Sequence, residues 1–291
     1  MKVTLLGTGC PQCDPERMGP ASLVQHGGRQ ILIDVGSGAT QRLVSAGSSG
    51  RMLDAVLLTH LHSDHIVDLF QLVMSSWHQG RDRPQRIYGP EGTRRFVDGL
   101  IALWRPELEQ RIAHELRPST AALDVEVTEI GEGEVLRLDE ITARAVAVNH
   151  FPVKHAFGFV IEADGRRVAF SGDTAPCPAL TAAARGADLL VHECFIHGIM
   201  RPEPGVRTEQ GLANVARYHT ASSEVGRIAA EAQVRALLLH HFVPTKFDKA
   251  AVLAEARRDF RGPVLIGEDL MSVDLATGVV AYAGAQIGLG S

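Results

Sequence analysis

Asp54-Ala-Val-Leu-Leu-Thr59 followed by His60-Leu-His-Ser-Asp-His65 is the stretch that decides how this chain is read. The first six residues form an apolar run of the kind that makes a buried strand, and Ile66 to Trp77 beyond the cluster has helical amphipathicity. Three imidazoles and a carboxylate thus sit on a strand-to-helix turn. Neutral imidazole nitrogen and carboxylate oxygen are borderline donors that suit zinc, and also manganese or iron. His60 and His62 lie two apart, so in extended backbone they point the same way. Asp64 and His65 are then free to serve a second ion beside the first.

Composition narrows the class. A chain of 291 residues with 45% hydrophobic and 22% charged residues reads as an ordinary globular protein able to bury a sizeable core. We read it as a single domain over residues 1–291. A net charge of −5 argues against a binder that relies on a broad basic surface. Met1 to Leu6 reads as a first strand and not as a signal peptide. No apolar stretch reaches the roughly 18 residues of a membrane span. A cytoplasmic location with no membrane partner is expected. Cys10-Pro-Gln-Cys13 is formally a CxxC, but it has no second CxxC and sits in a Gly/Pro loop, so reduced thiols without a role are expected.

Short strands open the chain at Val3 to Leu6, Ser22 to Gln25 and Gln30 to Asp34. A helix ends near Ala46-Gly47, Arg86 to Pro90 is a short strand, and Gly92 to Leu103 has helical character. Residues 105 to 122 have no pattern that assigns them a structure. From Leu123 the alternation returns to strands as far as Ser171. Ala179 to Arg185, Ser222 to Glu231 and Lys249 to Arg258 then read as helices between the buried runs Asp188 to His192 and Arg235 to Leu239. Val264 to Ile266 and Met271 to Leu275 close the chain. Strands interleaved with helices in both halves predict two β-sheets packed together with helices outside.

A metal site built on His60 to His65 needs further donors, and these are sought at other strand ends. His150 follows the alternating run Ile141 to Val148. Asp173 follows Val168-Ala-Phe-Ser-Gly172, where glycine allows a sharp turn. His240 and His241 follow Ala236-Leu-Leu-Leu239.

Thr59-His-Leu-His-Ser-Asp-His65, Ser171-Gly-Asp-Thr174 and Leu239-His-His-Phe242 together resemble the metallo-β-lactamase superfamily. Gly7-Thr-Gly9, Asp34-Val-Gly36, Tyr88-Gly-Pro90 and Gly267-Glu-Asp-Leu-Met271 narrow the resemblance to the branch that holds ribonuclease Z and the arylsulfatase-like hydrolases. It implies an α/β fold, an αββα sandwich of two mixed sheets with helices on the outer faces. It also implies a dinuclear site, with His60, His62 and His150 on one ion, Asp64, His65 and His241 on the other, and Asp173 bridging. Two divalent ions are expected, Zn²⁺ first, with Mn²⁺ or iron as alternatives. Asp34 is a plausible hydrogen-bond partner for a ligand histidine.

The same branch has a histidine in a His-Thr/Ser-x-x-Glu segment, which His219-Thr-Ala-Ser-Ser-Glu224 matches. His219 is therefore the candidate general acid, Glu193 the carboxylate that orients it, and Asp64 is counted with the catalytic groups as well as the ligands. Thr220 or Ser222 would cap the following helix. Ribonuclease Z proper carries a long basic arm between the residues matching His150 and Asp173, and only 22 residues stand between them here. With the acidic net charge, this favours a metal-dependent hydrolase of a small-molecule ester (sulfate, phosphate, carboxylic ester or lactone), acting through metal-bound hydroxide. Ser76-Trp-His-Gln-Gly-Arg81 and Tyr88-Gly-Pro-Glu-Gly-Thr93 look arylsulfatase-like, and Trp77, Trp104 and Phe195 would wall a leaving group. Nucleic acid is not the expected partner, and a homodimer is left open. The alternatives are a ribonuclease Z-like tRNA 3′-processing endonuclease and a non-hydrolytic metal-binding sensor or redox protein.

Overall fold

The computed structural model describes residues 1–289. The strands are β1 (Lys2–Gly7), β2 (Ala21–His26), β3 (Arg29–Ile33), β4 (Ala55–Leu57), β5 (Gln85–Gly89), β6 (Val125–Glu129), β7 (Gly133–Leu138) and β8 (Ile141–Ala147). The later ones are β9 (Phe157–Ala163), β10 (Arg166–Phe170), β11 (Leu189–Phe195), β12 (Leu237–Val243), β13 (Val264–Ile266), β14 (Ser272–Asp274), β15 (Val279–Tyr282) and β16 (Ala285–Gly288). They form one sheet in the order β16-β15-β14-β1-β2-β3-β4-β5-β6 and a second in the order β13-β12-β11-β10-β9-β8-β7. Both are mixed. β3 to β6 pair in parallel in the first sheet and β10 to β13 in the second, with the remaining pairs antiparallel.

Leu5, Ile31 and Leu57 from the first sheet pack against Phe159, Phe170, Val191 and Leu238 from the second in one buried cluster. Two further apolar clusters cover the outer faces. One joins Leu190, Leu237 and Leu239 to Val225, Ile228 and Ala229 of α7 (Ser222–Glu231) and Val252 of α8 (Lys249–Ala256), which follow α1 (Ala39–Ser45), α5 (Pro178–Ala183), α6 (Glu209–Ala216) and three helices between α1 and α5. The other joins Leu23, Leu32 and Val56 to Leu43, Leu69 and Leu72. The expected αββα sandwich is the fold observed.

The helix expected over Ile66 to Trp77 is two helices, α2 (Ser63–Ile66) and α3 (Leu69–His78). The break falls where the Asp68 amide donates to Val35 O instead of continuing the helical ladder. α3 buries Leu69, Leu72, Val73, Ser76 and Trp77, the i, i+3, i+4, i+7, i+8 stripe that a core-facing helix requires.

Residues 105–115, unassigned from sequence, continue α4 (Thr93–Glu115) through Pro106. Beyond Val97 this helix buries only Leu108, so no apolar stripe marks it; Arg111 instead bridges Glu107 and Glu115 one turn away on either side. Residues 117–122 pack beneath α3, where Trp77 Nε1 donates to Ser119 O at 2.8 Å and Arg117 lies 4.9 Å over the indole. The β15–β16 hairpin also went unread, because β16 is exposed along its whole length and has no buried face to pattern. Among the described residues no helix is long and apolar enough to cross a membrane.

Candidate metal centre and active site

β4 ends at Leu57, and the chain leaves the sheet through Thr59 into the His60–His65 turn. Asp34, at φ +57 after β3, holds this turn. Its Oδ1 accepts the Thr59 amide at 2.8 Å and its Oδ2 accepts His65 Nδ1 at 2.8 Å. The Thr59 hydroxyl donates to Asp34 and lies 3.0 Å from His60 Nδ1. Both imidazoles are thereby fixed through Nδ1, leaving Nε2 to face inward. His150 is fixed likewise, Nδ1 donating to Tyr218 O at 2.9 Å.

Asp173 follows Gly172, at φ +58, and a Cβ on Gly172 would lie 2.6 Å from Phe157 O; glycine is obligatory at this turn. The Asp173 Oδ2 atom lies 3.4 Å from His65 Nε2, 3.4 Å from His241 Nε2, 3.9 Å from His60 Nε2 and 4.0 Å from His150 Nε2. Asp64 Oδ2 is 3.3 Å from His241 Nε2, and His62 Nδ1 is 3.2 Å from His150 Nε2. The structure therefore brings together all seven residues expected as ligands. They fall into the groups His60, His62, His150, Asp173 and Asp64, His65, His241, each with its ligand atoms within 4.8 Å of one another.

The choice of His241 over its neighbour is made by a bulge. β12 pairs Glu193 with His240 and Cys194 with Phe242, so His241 is the extra residue, at φ +46, with its ring turned into the centre. His240 points elsewhere. It is buried with neither ring nitrogen hydrogen-bonded, and burial pushes its pKa down to about 3.

The donor set fits a metal. His60 Nε2 and His65 Nε2 are buried and make no hydrogen bond, an arrangement that is costly unless the lone pairs are used. Burial holds His60 well below its ordinary pKa and His150 at about 4, so both present neutral nitrogens. Burial alone would raise Asp173, but the surrounding imidazoles, His241 and His65 foremost, hold it well below the carboxylate range. This is a His/Asp cluster able to bind metal.

Beside it, His219 Nδ1 donates to Glu193 Oε2 at 2.7 Å, and Glu193 Oε1 accepts the Thr174 amide at 2.6 Å. Glu193 is fully buried. Burial disfavours the His219 cation, yet the Glu193 carboxylate outweighs it and lifts the imidazole to about 9. Phe195 stacks on the His219 ring at 5.7 Å. Neither expected cap forms: the Thr220 hydroxyl donates to Thr174 O and the Ser222 hydroxyl to Glu255, leaving Ala221 at the N-cap of α7.

A cleft of about 930 Å³ opens over the centre. His62, Asp64, Asp173, His219 and His241 lie at its floor, Cys10 to Gln12 line it, and so do Glu203 to Thr208 and half-buried Tyr218. The Cys10 loop is pinned by Asp269, whose carboxylate accepts the Thr8 amide and hydroxyl at 3.0 and 2.8 Å and the Met18 amide at 2.8 Å. Burial pushes the Cys10 thiol up to about 11. Tyr218 was missed from sequence, although its place before His219 was the available signal. None of the aromatics expected as walls lines the cleft. Trp77 and Phe195 are core, and Trp104 stacks on Phe70 at 4.6 Å.

His192 lies one residue before Glu193 and is fully buried; burial lowers its pKa to about 4. An unfolded histidine titrates near 6.5, so above that pH the group contributes nothing, and as pH falls through 6.5 toward 4 the unfolded chain takes up the proton first. At pH 5 this costs about 2 kcal/mol of stability. The urea midpoint of the wild type should therefore fall more between pH 7.5 and pH 5 than that of His192→Gln. Parallel behaviour of the two proteins would show that His192 is not desolvated.

The sequence pattern of the family described as Beta-lactamase superfamily domain matches residues 29–242. With the fold and the His/Asp cluster, it follows that the chain belongs to the metallo-β-lactamase superfamily, in the branch that holds ribonuclease Z. It is 36% identical over 282 residues to Ribonuclease Z of Mycobacterium marinum, covering 94% of this chain and 99% of that protein. Among solved structures it is similar to the metallo-beta-lactamase fold protein YhfI of Bacillus subtilis, with a TM-score of 0.71 at 23% identity, covering 93% and 97% of the two chains. Human tRNase Z, short form, has a TM-score of 0.67 at 21% identity, covering 94% and 99%.

The 36% identity to a ribonuclease Z overturns the expectation of a small-molecule substrate and of no nucleic-acid partner. That reading rested on the missing arm and on net charge. The structure does join β9 to β10 by a tight turn with no arm, but the M. marinum ribonuclease matches this chain nearly end to end, which leaves no room there for a long insertion either. A net charge is a sum over the surface and does not describe the cleft rim. The arylsulfatase-like segments are structural. Arg81 donates to the carbonyls of Gly50, Leu53 and Pro84, and the Thr93 hydroxyl to Pro90 O.

Proposed function

We propose that this protein is a metal-dependent endonuclease of the ribonuclease Z type, cutting precursor tRNA at its 3′ side in the cytoplasm. The observation that carries the reading is the match, at 36% identity and over nearly the whole length of both chains, to a curated protein of that name. The His/Asp cluster with an adjacent His219–Glu193 pair supports it, because phosphodiester hydrolysis needs both charge neutralisation and a proton for the leaving oxygen.

In this reading His60, His62 and His150 would hold one divalent ion and Asp64, His65 and His241 a second, with Asp173 within reach of both; nitrogen and carboxylate donors favour Zn²⁺. Metal bound here supplies Lewis acidity that activates water and neutralises charge on the phosphoryl group. Asp34 and Thr59 orient the imidazoles of His60 and His65, and Tyr218 O orients that of His150. Glu193 keeps His219 protonated and holds its ring, so that Nε2 can deliver a proton to the departing ribose oxygen. The dry floor around Glu193 strengthens that hydrogen bond.

Zinc-loaded protein incubated with a precursor tRNA transcript should release the 3′ trailer by a single endonucleolytic cut. An intact precursor, under conditions where the same preparation hydrolyses bis(p-nitrophenyl) phosphate, would overturn the proposal.

A further inference from the structure

Ten phenylalanines occur in the chain, all within the described residues, and nine are buried or half-buried. Phe151 is the exception, 78% exposed. It immediately follows His150, so its backbone lies one virtual bond, about 3.8 Å or less, from that of a buried imidazole of the proposed ligand set. A single exposed apolar residue normally needs no explanation. This one sits on a loop that the structure holds in place. The Val153 amide donates to His150 O at 2.9 Å, His150 itself is tied to Tyr218 O, and His155 Nε2 lies 3.1 Å from Glu91.

Two cations lie on segments tied to His150. Lys154 is three residues on from Phe151 in this loop, and Arg217 immediately precedes Tyr218, whose ring lies 4.9 Å from that of His150. Both are exposed, and no carboxylate among the described residues pairs with either. In a chain of net charge −5, this lysine and arginine are exposed and uncommitted, free to meet an anion near an exposed aromatic ring. Aromatic faces interleaved with cations are the combination that holds single-stranded nucleic acid, bases stacking on the rings and phosphates meeting the charges.

We propose that Phe151 is a stacking platform for an unpaired base next to the scissile phosphate, with Lys154 and Arg217 neutralising the phosphates on either side of it. This rests on the endonuclease reading above and adds to it where the RNA strand is gripped. The rim does locally what a projecting arm would do at a distance. Phe151 is a specificity and binding residue here and not a catalytic one.

The test uses zinc-loaded protein and a precursor tRNA transcript carrying an unpaired 3′ trailer. Phe151→Ala should raise KM about 5- to 100-fold, the range found for loss of one base-stacking contact, with kcat changed far less. Phe151→Trp should restore KM, since any flat ring serves, whereas Phe151→Leu should not. Lys154→Ala and Arg217→Ala should each weaken binding and reduce the slope of log K against log salt by about 0.7. Metal content by elemental analysis should be the same in every variant. If the wild type cuts the precursor while Phe151→Ala has the wild-type KM, or if leucine rescues as well as tryptophan, this inference is wrong and the endonuclease assignment stands. If the wild type hydrolyses bis(p-nitrophenyl) phosphate but leaves the precursor whole, the assignment falls, and the rim falls with it.

Discussion

Asp173→Ala is expected to lose most of its metal and to cut RNA about 10²- to 10⁴-fold more slowly than the wild type. The range is what removing one partner from a buried charge assembly costs, about 3–5 kcal/mol. The reason lies in its position. One carboxylate oxygen stands within 4.0 Å of four imidazole nitrogens contributed by three separate segments of chain. No neighbouring acid can take over, because Asp64 reaches only His241 and His65, at 3.3 and 3.6 Å, and neither His60 nor His150. Elemental analysis should find close to two ions per wild-type chain and fewer in the variant. One ion or none in folded, unchelated wild-type protein would refute the dinuclear assignment. Full metal content in Asp173→Ala would show that the carboxylate is not shared.

His219→Ala comes next. A ribose oxygen leaves as a poor, high-pKa group and needs a proton in the transition state, whereas nitrophenolate departs without one. Turnover of precursor tRNA should therefore fall about 10²- to 10⁴-fold, and hydrolysis of bis(p-nitrophenyl) phosphate far less. Metal content is the control, since His219 also lies within ligand distance of Asp173 and His241. Loss of metal would make it a ligand, and equal losses on both substrates would make it a positioning group. Some loss of stability is expected with either outcome. The ring is 8% exposed and packs on Phe195, so its removal leaves Glu193 buried without its partner.

The core of the site could be read from the sequence because its signals are local. An apolar run, a dense His/Asp turn and a second set of donors after other apolar runs each occupy a few consecutive residues. What could not be read depends on partners distant in sequence. The residues alone leave His240 and His241 open and only the resemblance selects His241; the physical reason, how β12 registers against β11, lies outside any window around the two histidines. Residues 105–115 went unassigned because that helix is held by ion pairs at one-turn spacing and not by an apolar stripe. The substrate was misread for a related reason. A missing insertion is visible in sequence, whereas the residues that line the cleft, from Cys10 to His241, come together only after folding.

Thr8 and Asp269 are separated by 261 positions, yet their contact pins the loop that carries Cys10 to Gln12 along the cleft. During synthesis Thr8 emerges 261 residues before the carboxylate that fixes it. Every proposed ligand precedes Asp269, so a growing chain has its full set of donors before that wall is anchored. The wall is therefore the later of the two to be fixed: a ribosome-tethered fragment ending short of Asp269 would carry every proposed ligand without the contact that anchors the loop beside them.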